Sequence, residues 1–397
     1  MTKRTIVAMP GDGIGRVVLE AAIRVLEAAG FNAEYVEADI GWEFWCKEGN
    51  PLPQRTLDLL ENHQIGLFGA ITSKPKDAAA EELSADLKGK GLVYSSPIVG
   101  LRQHFNLDVC IRPCKTYKGN PLNFIRRGMN DTIEEPAVDV VIFRQNTEGL
   151  YGGVEWSDPP HIVYDALKTH SKFVKNFGHV QKEDLSVSTR IFTRNATARI
   201  LRAAFTYARQ YGYKAVTVCE KPNVIRETSG MMYKMAMDIQ KNEYPDIELW
   251  NTNIDAQMMW LTKNPEDYGV IVAGNMFGDI VSDGFAGLIG GLGFACSANI
   301  GEKVAVFEPT HGSAPKYASF KESIVNPVAM IASACMMLDH IGENSISTKI
   351  QNAIARVIAE GKVRTYDMMK MPGREDVIER GAASTRQMAD AIIQALD

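Results

Sequence analysis

Two aspartates, Asp279 and Asp283, stand four residues apart in the stretch GDIVSD. On a helix that spacing puts both carboxylates on one face. Carboxylates so placed repel each other unless both are solvated or a cation lies between them. Hard oxygen donors of this kind suit Mg2+ or Mn2+. An apolar run, Val270 to Ala273, precedes them and reads as a buried strand. A Gly-rich stretch follows, and then His311-Gly312-Ser313-Ala314-Pro315-Lys316-Tyr317. One region therefore offers a candidate divalent-metal site and a small-residue loop that ends in a cation beside an aromatic ring.

Three arginines add a second chemistry: Arg102 in SSPIVGLRQ, Arg112 in VCIRP and Arg144 in VIFRQNTEGLY. Guanidinium groups grip carboxylates bidentately. Arg112 and Arg144 are predicted to end strands, and ligands of open α/β sheets gather at strand carboxyl ends. Together the three suggest a polycarboxylate site. Tyr151 follows Arg144 closely, and Lys221 follows the apolar run Ala215–Cys219 in CEKPNVIRE. A Lys or Tyr set among arginines and a metal is suited to acid–base work.

The elements that must position these groups alternate. Thr5–Met9 and Val138–Phe143 read as strands, Ile14–Ala29 and Ala196–Tyr211 as amphipathic helices, and Pro327–Ile341 as a buried apolar helix. The last fifteen residues read as helix. Such alternation predicts an α/β fold with much parallel sheet. Residues 74–93 are polar and rich in Lys, Ala and Glu and are expected to form an exposed helical excursion. Residues 149–193 carry turn signals and unpaired β-prone segments, and are expected to form a protruding β-rich arm. The chain has 397 residues, 45% of them apolar and 23% charged, with net charge −5, an ordinary globular composition. No basic block points to nucleic acid, and no apolar run is long enough to span a membrane. Lys3 and Arg4 begin the chain like a signal peptide, but Pro10 ends the apolar stretch too early, so the segment is expected to be the first strand. The six cysteines form no C-x-x-C pair and fit a reducing cytoplasm.

Gly11-Asp12-Gly13-Ile14-Gly15 after the first strand is close to a dinucleotide fingerprint, but Arg16 stands where a further glycine is required. A tight strand-to-helix turn is the better reading. PGDGIG, the arginines of 101–113, FRQNTEGLYGGVEW, EKPNV, GDIVSD and HGSAPKY, in this order, resemble the β-decarboxylating dehydrogenases, the family of isocitrate, homoisocitrate and 3-isopropylmalate dehydrogenases. The resemblance spans nearly the whole chain. It implies an α/β isocitrate/isopropylmalate dehydrogenase-like fold and not a Rossmann domain. It further implies a large domain (1–107 and 290–397), a small domain (108–148 and 194–289) and a clasp (149–193). It implies a homodimer with shared active sites. Arg102, Arg112 and Arg144 would then hold the substrate's carboxylates. Asp279 and Asp283, with Asp255 of the neighbouring subunit, would hold Mg2+ or Mn2+. Tyr151 and the neighbour's Lys221 would handle protons. Asn326 and the loop His311–Tyr317 would bind the cofactor.

HGSAPKY departs from the acid-bearing HGSAPDI of NAD-dependent relatives, and Tyr366 and Lys370 follow in RTYDMMK. Lys316, Tyr317, Tyr366 and Lys370 resemble the 2′-phosphate set of prokaryotic NADP-dependent isocitrate dehydrogenases, so NADP is expected. Ser96 matches the serine that meets the γ-carboxylate of isocitrate, while Ile98 replaces an expected asparagine. Isocitrate is the expected substrate. Homoisocitrate, 3-isopropylmalate or another substituted malate is the alternative, as is a non-catalytic regulatory subunit of a hetero-oligomer.

Overall fold

The computed structural model describes residues 3–396. One ten-stranded sheet runs through the molecule. Its strands are β1 Arg4–Gly11, β2 Ala33–Glu37, β3 Ile65–Ala70, β4 Val109–Lys115, β5 Asp139–Gln145, β6 Ala215–Glu220, β7 Glu248–Asn253, β8 Val270–Ala273, β9 Cys296–Ile300 and β10 Ala305–Pro309. Their spatial order is β7-β6-β8-β5-β4-β9-β10-β3-β1-β2. The four strands at each end pair in parallel. Between them β4 pairs antiparallel with both β5 and β9, and β9 antiparallel with β10. The sheet is thus two parallel wings joined through an antiparallel centre. The expected parallel sheet is present in the wings, and the centre departs from it.

Helices cover both faces. Those used below are α1 Gly15–Ala28, α2 Pro97–His104, α3 Arg194–Tyr211, α4 Thr228–Glu243, α5 Ile254–Lys263, α6 Asn275–Leu288 and α7 Val328–His340. One face of the sheet packs α1, α6 and α7 in the largest apolar cluster, which includes Ile142, Phe285 and Phe307. On the other face, α3 and α4 bury Leu201, Phe205 and Met232 against Val141 and Phe143. The alternation of Val141 and Ile142 between the clusters is the period-two rule of a strand covered on both sides.

Helix α6 carries the acid pair and shows why the sequence folds there. Phe277, Val281, Phe285 and Leu288 recur at helical spacing and are buried. Each such side chain contributes roughly 1.5–3 kcal/mol of burial. Gly278 lets the helix approach β5: a Cβ there would sit 2.8 Å from the Cβ of Arg144.

Three expectations need correction. Residues 74–93 form only a short helix, Lys76–Glu81, and they are not simply exposed: Ala79 and Leu83 build a small core with Trp45, flanked by Trp42, Leu87, Leu92 and Tyr94. Those apolar residues are spread through a polar stretch and meet only when the chain folds back on the Trp42–Glu48 helix. The arm is not β-rich. Its two strands, Glu155–Ser157 and Ser186–Ser188, have three residues each, and helices His161–Lys168 and Ser171–Phe177 fill the space between them. Lastly, Arg112 does not end its strand but lies in the middle of β4. The strand continues through Pro113 because β9 pairs with β4 only at 109–111, so the missing proline N–H has no ladder partner to disappoint.

Candidate active site

Antiparallel pairing of β4 and β5 sets Cys110 opposite Arg144 and Arg112 opposite Ile142. All four side chains therefore lie on one face of the sheet, the face that α6 covers. Arg112 Nη1 donates to Asp279 Oδ1 at 3.0 Å and to Ser282 Oγ at 2.7 Å, and it lies 3.4 Å from Asp283 Oδ1. Arg144 Nη1 also donates to Asp279 Oδ1. The rest of the Arg144 guanidinium is fixed by Asn275, with Nη2 donating to Oδ1 at 2.7 Å and Nε to the backbone oxygen at 3.1 Å. Tyr151 stands at the rim, its ring centroid 5.7 Å from Arg144 Cζ. Burial, and then the neighbouring Arg112 charge, pull Arg144 down to about 10, so it stays cationic at neutral pH.

Arg102 reaches the same region from α2. Its Nε donates to Asn299 Oδ1 at 3.0 Å and its Nη2 to Glu308 Oε1 at 2.9 Å. Asn299 sits opposite Cys110 across β9 and β4 and also accepts from Asn146 Nδ2 at 2.7 Å. Ser96 is the residue before α2. Val99 lies on the stripe of α2 that holds Arg102 and is exposed, whereas Ile98 turns to the apolar cluster containing Leu101 and Leu107.

Asp283 is exposed, and partial desolvation together with the Asp279 charge pushes its carboxyl up against the pull of Arg112. A divalent cation relieves such repulsion, so the acid pair fits one. The pair supplies only two carboxylates, and among the described residues no group of three or more His, Cys, Asp or Glu side chains could hold a metal. Mg2+ normally keeps several waters and takes one or two carboxylates, which suits this arrangement. Asp255, in the first turn of α5, is exposed and accepts from Lys221. No bond joins this Lys221–Asp255 pair to Asp279, Asp283 or the three arginines among the described residues.

The second group of residues gathers around the loop after β10. The turn 11–15 packs directly on it: Ile14 N–H donates to Ser313 O at 2.9 Å, and a Cβ on Gly13 would lie 2.1 Å from that oxygen. Asp12 accepts from the backbone N–H of Trp42 at 2.7 Å and of Thr72 at 2.8 Å, so PGDGIG is a structural turn as expected. Ser313 Oγ lies 2.6 Å from Thr72 Oγ1. His311 Nδ1 lies 3.0 Å from Gly312 O, and burial lowers its pKa, leaving the ring neutral at pH 7. Its Nε2 is buried without a partner among the described residues. Ala314 takes a left-handed conformation, φ +38°, which turns the chain into the short helix Pro315–Ala318. There the Lys316 Nζ lies 5.6 Å from the Tyr317 ring, and the Tyr317 and Tyr366 rings are 5.6 Å apart. Burial and contact with Tyr317 push the Tyr366 phenol up. Lys370 is exposed at the end of the same segment, and Asn326 Nδ2 donates to Asp367 Oδ2 at 3.2 Å. An unpartnered imidazole nitrogen, two adjoining phenols and two exposed lysines fit a phosphorylated dinucleotide.

The residues that hold the arginines, Asn275, Ser282, Asn299 and Glu308, escaped the sequence reading. Ser282 lies inside GDIVSD and Asn275 one turn before Asp279, so helical spacing could have found them. Asn299 and Glu308 carry no local signal.

The sequence profile described as isocitrate/isopropylmalate dehydrogenase matches residues 5–392. Protein DlpA of Legionella pneumophila is 38% identical over 391 residues, 98% of this chain, which spans only 58% of that protein's length. The 3-isopropylmalate dehydrogenase of Methanothermobacter thermautotrophicus is 36% identical, with 98% of this chain and 100% of that protein aligned. Among solved structures, isocitrate dehydrogenase from Methylococcus capsulatus superposes with a TM-score of 0.80 at 35% identity over 99% of both chains.

Proposed function

Since the chain belongs to the isocitrate/isopropylmalate dehydrogenase family, and so is a β-decarboxylating dehydrogenase, we propose that it oxidises isocitrate to 2-oxoglutarate and CO2 with NADP and a divalent cation. The convergence of Arg112 and Arg144 on Asp279 carries the reading: it sets carboxylate-binding cations against a metal-binding acid on one face of the sheet. The Lys316–Tyr317–Tyr366 contact supports NADP.

In this reading Arg102, Arg112 and Arg144 bind and orient the substrate's carboxylates. Asp279 and Asp283 hold Mg2+ or Mn2+, with Asp255 of a second copy completing the set. The cation supplies Lewis acidity at the 2-hydroxyl and at the carbonyl that replaces it. NADP, against His311–Tyr317, Asn326, Tyr366 and Lys370, supplies the hydride acceptor. Lys221 of a second copy takes the hydroxyl proton. Loss of CO2 from the β-keto acid leaves an electron pair at C3, to which Tyr151 delivers a proton. The Lys221–Asp255 pair, which makes no bond to its own chain's acid pair among the described residues, supports a homodimer that shares its sites. The chain would divide into a large domain of both ends, a central small domain and the arm as clasp.

A second reading is an apolar substituent at C3, as in 3-isopropylmalate. The exposure of Val99 on the Arg102 face of α2 favours it. Purified protein with Mn2+ and each of isocitrate, homoisocitrate and 3-isopropylmalate, with NADP+ or NAD+, separates the readings by kcat/KM. Isocitrate with NADP+ is expected to lead. Turnover of none would leave the regulatory-subunit reading.

A further inference from the structure

Glu220 ends β6, immediately before Lys221, and is fully buried. Its carboxylate accepts from Arg190 Nη2 at 2.7 Å, from Ser229 Oγ and from the backbone N–H of Gly274 at 2.8 Å. Arg190 is held in turn: Nη1 donates to Thr228 Oγ1 at 2.7 Å and to Ser229 Oγ at 2.9 Å. Its guanidinium lies 4.4 Å from the Phe192 ring centroid and 5.1 Å from that of Phe277. Four segments meet at this one ion pair: the end of the arm, the end of β6, the start of α4 and the start of α6. None of Glu220, Arg190, Ser229 and Gly274 has a place in the substrate, metal or cofactor contacts above.

The position matters because of what flanks it. β6 and β8 are parallel neighbours, so Glu220 and Gly274 leave the sheet side by side. Gly274 is the cap of α6, and a carboxylate at a helix N-terminus is favoured by the helix dipole and the free N–H groups. The acid pair Asp279 and Asp283 rides on that helix. Lys221 is covalently next to the clamped carboxylate. A shift of Glu220 therefore moves the helix of one site and the lysine proposed for the other.

We propose that Glu220, clamped by Arg190, is a positioning residue that fixes Lys221 and the Asp279 helix relative to each other. One ion pair, its carboxylate fully buried, would then set the geometry of two active sites: the carboxylates of its own and the lysine lent to a second copy's. The inference rests on the site assignment made above.

The test uses the full-length protein and reads Mn2+ binding by titration calorimetry as well as turnover. Glu220→Gln is expected to weaken binding of Mn2+ alone about tenfold and to lower kcat by about tenfold or more, since small misplacements in a site are costly. NADP+ affinity should stay within about twofold, because the cofactor residues lie on the other wing. The double variant Arg190→Met, Glu220→Gln replaces the whole pair by neutral groups, which proteins often tolerate. Its thermal midpoint should approach that of the unaltered protein while Mn2+ affinity and kcat stay low; it carries the test if Glu220→Gln alone does not fold. Recovery of both in step with stability, or no change in Glu220→Gln, overturns the inference. Asp279→Asn is the control: if it keeps Mn2+ affinity and turnover, the site assignment fails, whereas an inactive Asp279→Asn beside an unimpaired Glu220→Gln overturns the positioning role alone.

Discussion

Arg112 Nη1 donates to Asp279 Oδ1 at 3.0 Å across 167 residues of sequence. The bond ties the antiparallel centre of the sheet to the helix that covers it. It also holds the guanidinium proposed to bind a carboxylate and the acid proposed to bind a metal at one point, where a hydroxy acid could engage both. Arg144 meets the same oxygen, so Asp279 is the hinge of the candidate site.

Asp279→Asn should therefore lower kcat by about 100-fold or more, because loss of a cation ligand removes several kcal/mol of Lewis-acid stabilisation at ~1.4 kcal/mol per decade. Steady-state rates with saturating Mn2+ measure it. Excess chelator should silence the unaltered protein; full activity in chelator would rule out the metal.

Sharing of sites predicts complementation. Asp279→Asn and Lys221→Ala chains, each inactive as homodimers, should regain about a quarter of full activity after mixing and subunit exchange, since half of the dimers are mixed and each mixed dimer has one intact site. Exchange can be followed by native mass spectrometry. Exchange without recovery would place Lys221 in its own chain's site or in none.

Cofactor choice should respond to charge at the 316–317 turn. Each charge-assisted bond to phosphate is worth roughly 1.5–3 kcal/mol, so two lysines give about 100-fold or greater preference for NADP at ~1.4 kcal/mol per decade. Lys316→Asp with Tyr317→Ile should bring the ratio of kcat/KM for NADP+ over NAD+ below one. Added salt should weaken the preference in the unaltered protein, because Lys316 and Lys370 are exposed. A preference of the unaltered protein for NAD+ would return Lys316 and Tyr317 to the role of surface residues.

Burial lowers the pKa of His311 and of His340. For a base depressed in the folded state, the unfolded chain binds more protons as pH falls below the free imidazole value of about 6.5. The stability these rings contribute is complete above that pH and is lost as pH falls towards the folded values. Thermal midpoints measured across this range should decline towards acid, and the decline should be shallower in His340→Gln. An unchanged slope would mean that His340 is not held neutral.

Local pattern was enough for most elements. β8, α3 and α7 lie where apolar runs and apolar periodicity put them, because an element buried on one side must repeat its apolar residues with its own period and one buried all round is apolar throughout. The short helices of the arm were misread, since β-prone residues in so short a stretch do not by themselves choose between strand and helix. The middle position of Arg112 was hidden by Pro113, which usually ends a strand and here faces no second partner.

Residue types and order, read from the sequence alone, determined the family, the acid pair on one helix face, the three arginines and the phenol–lysine set. These are chemistry written in short motifs, and each motif is held by local spacing. Only the tertiary structure decided which of them meet. It brought Arg112 and Arg144 onto Asp279, turned Ile98 into the core and left Val99 facing out. It paired Lys221 with Asp255, and seated Glu220 between two proposed sites. Those relations depend on sheet order and register across long stretches of chain, which local spacing does not encode.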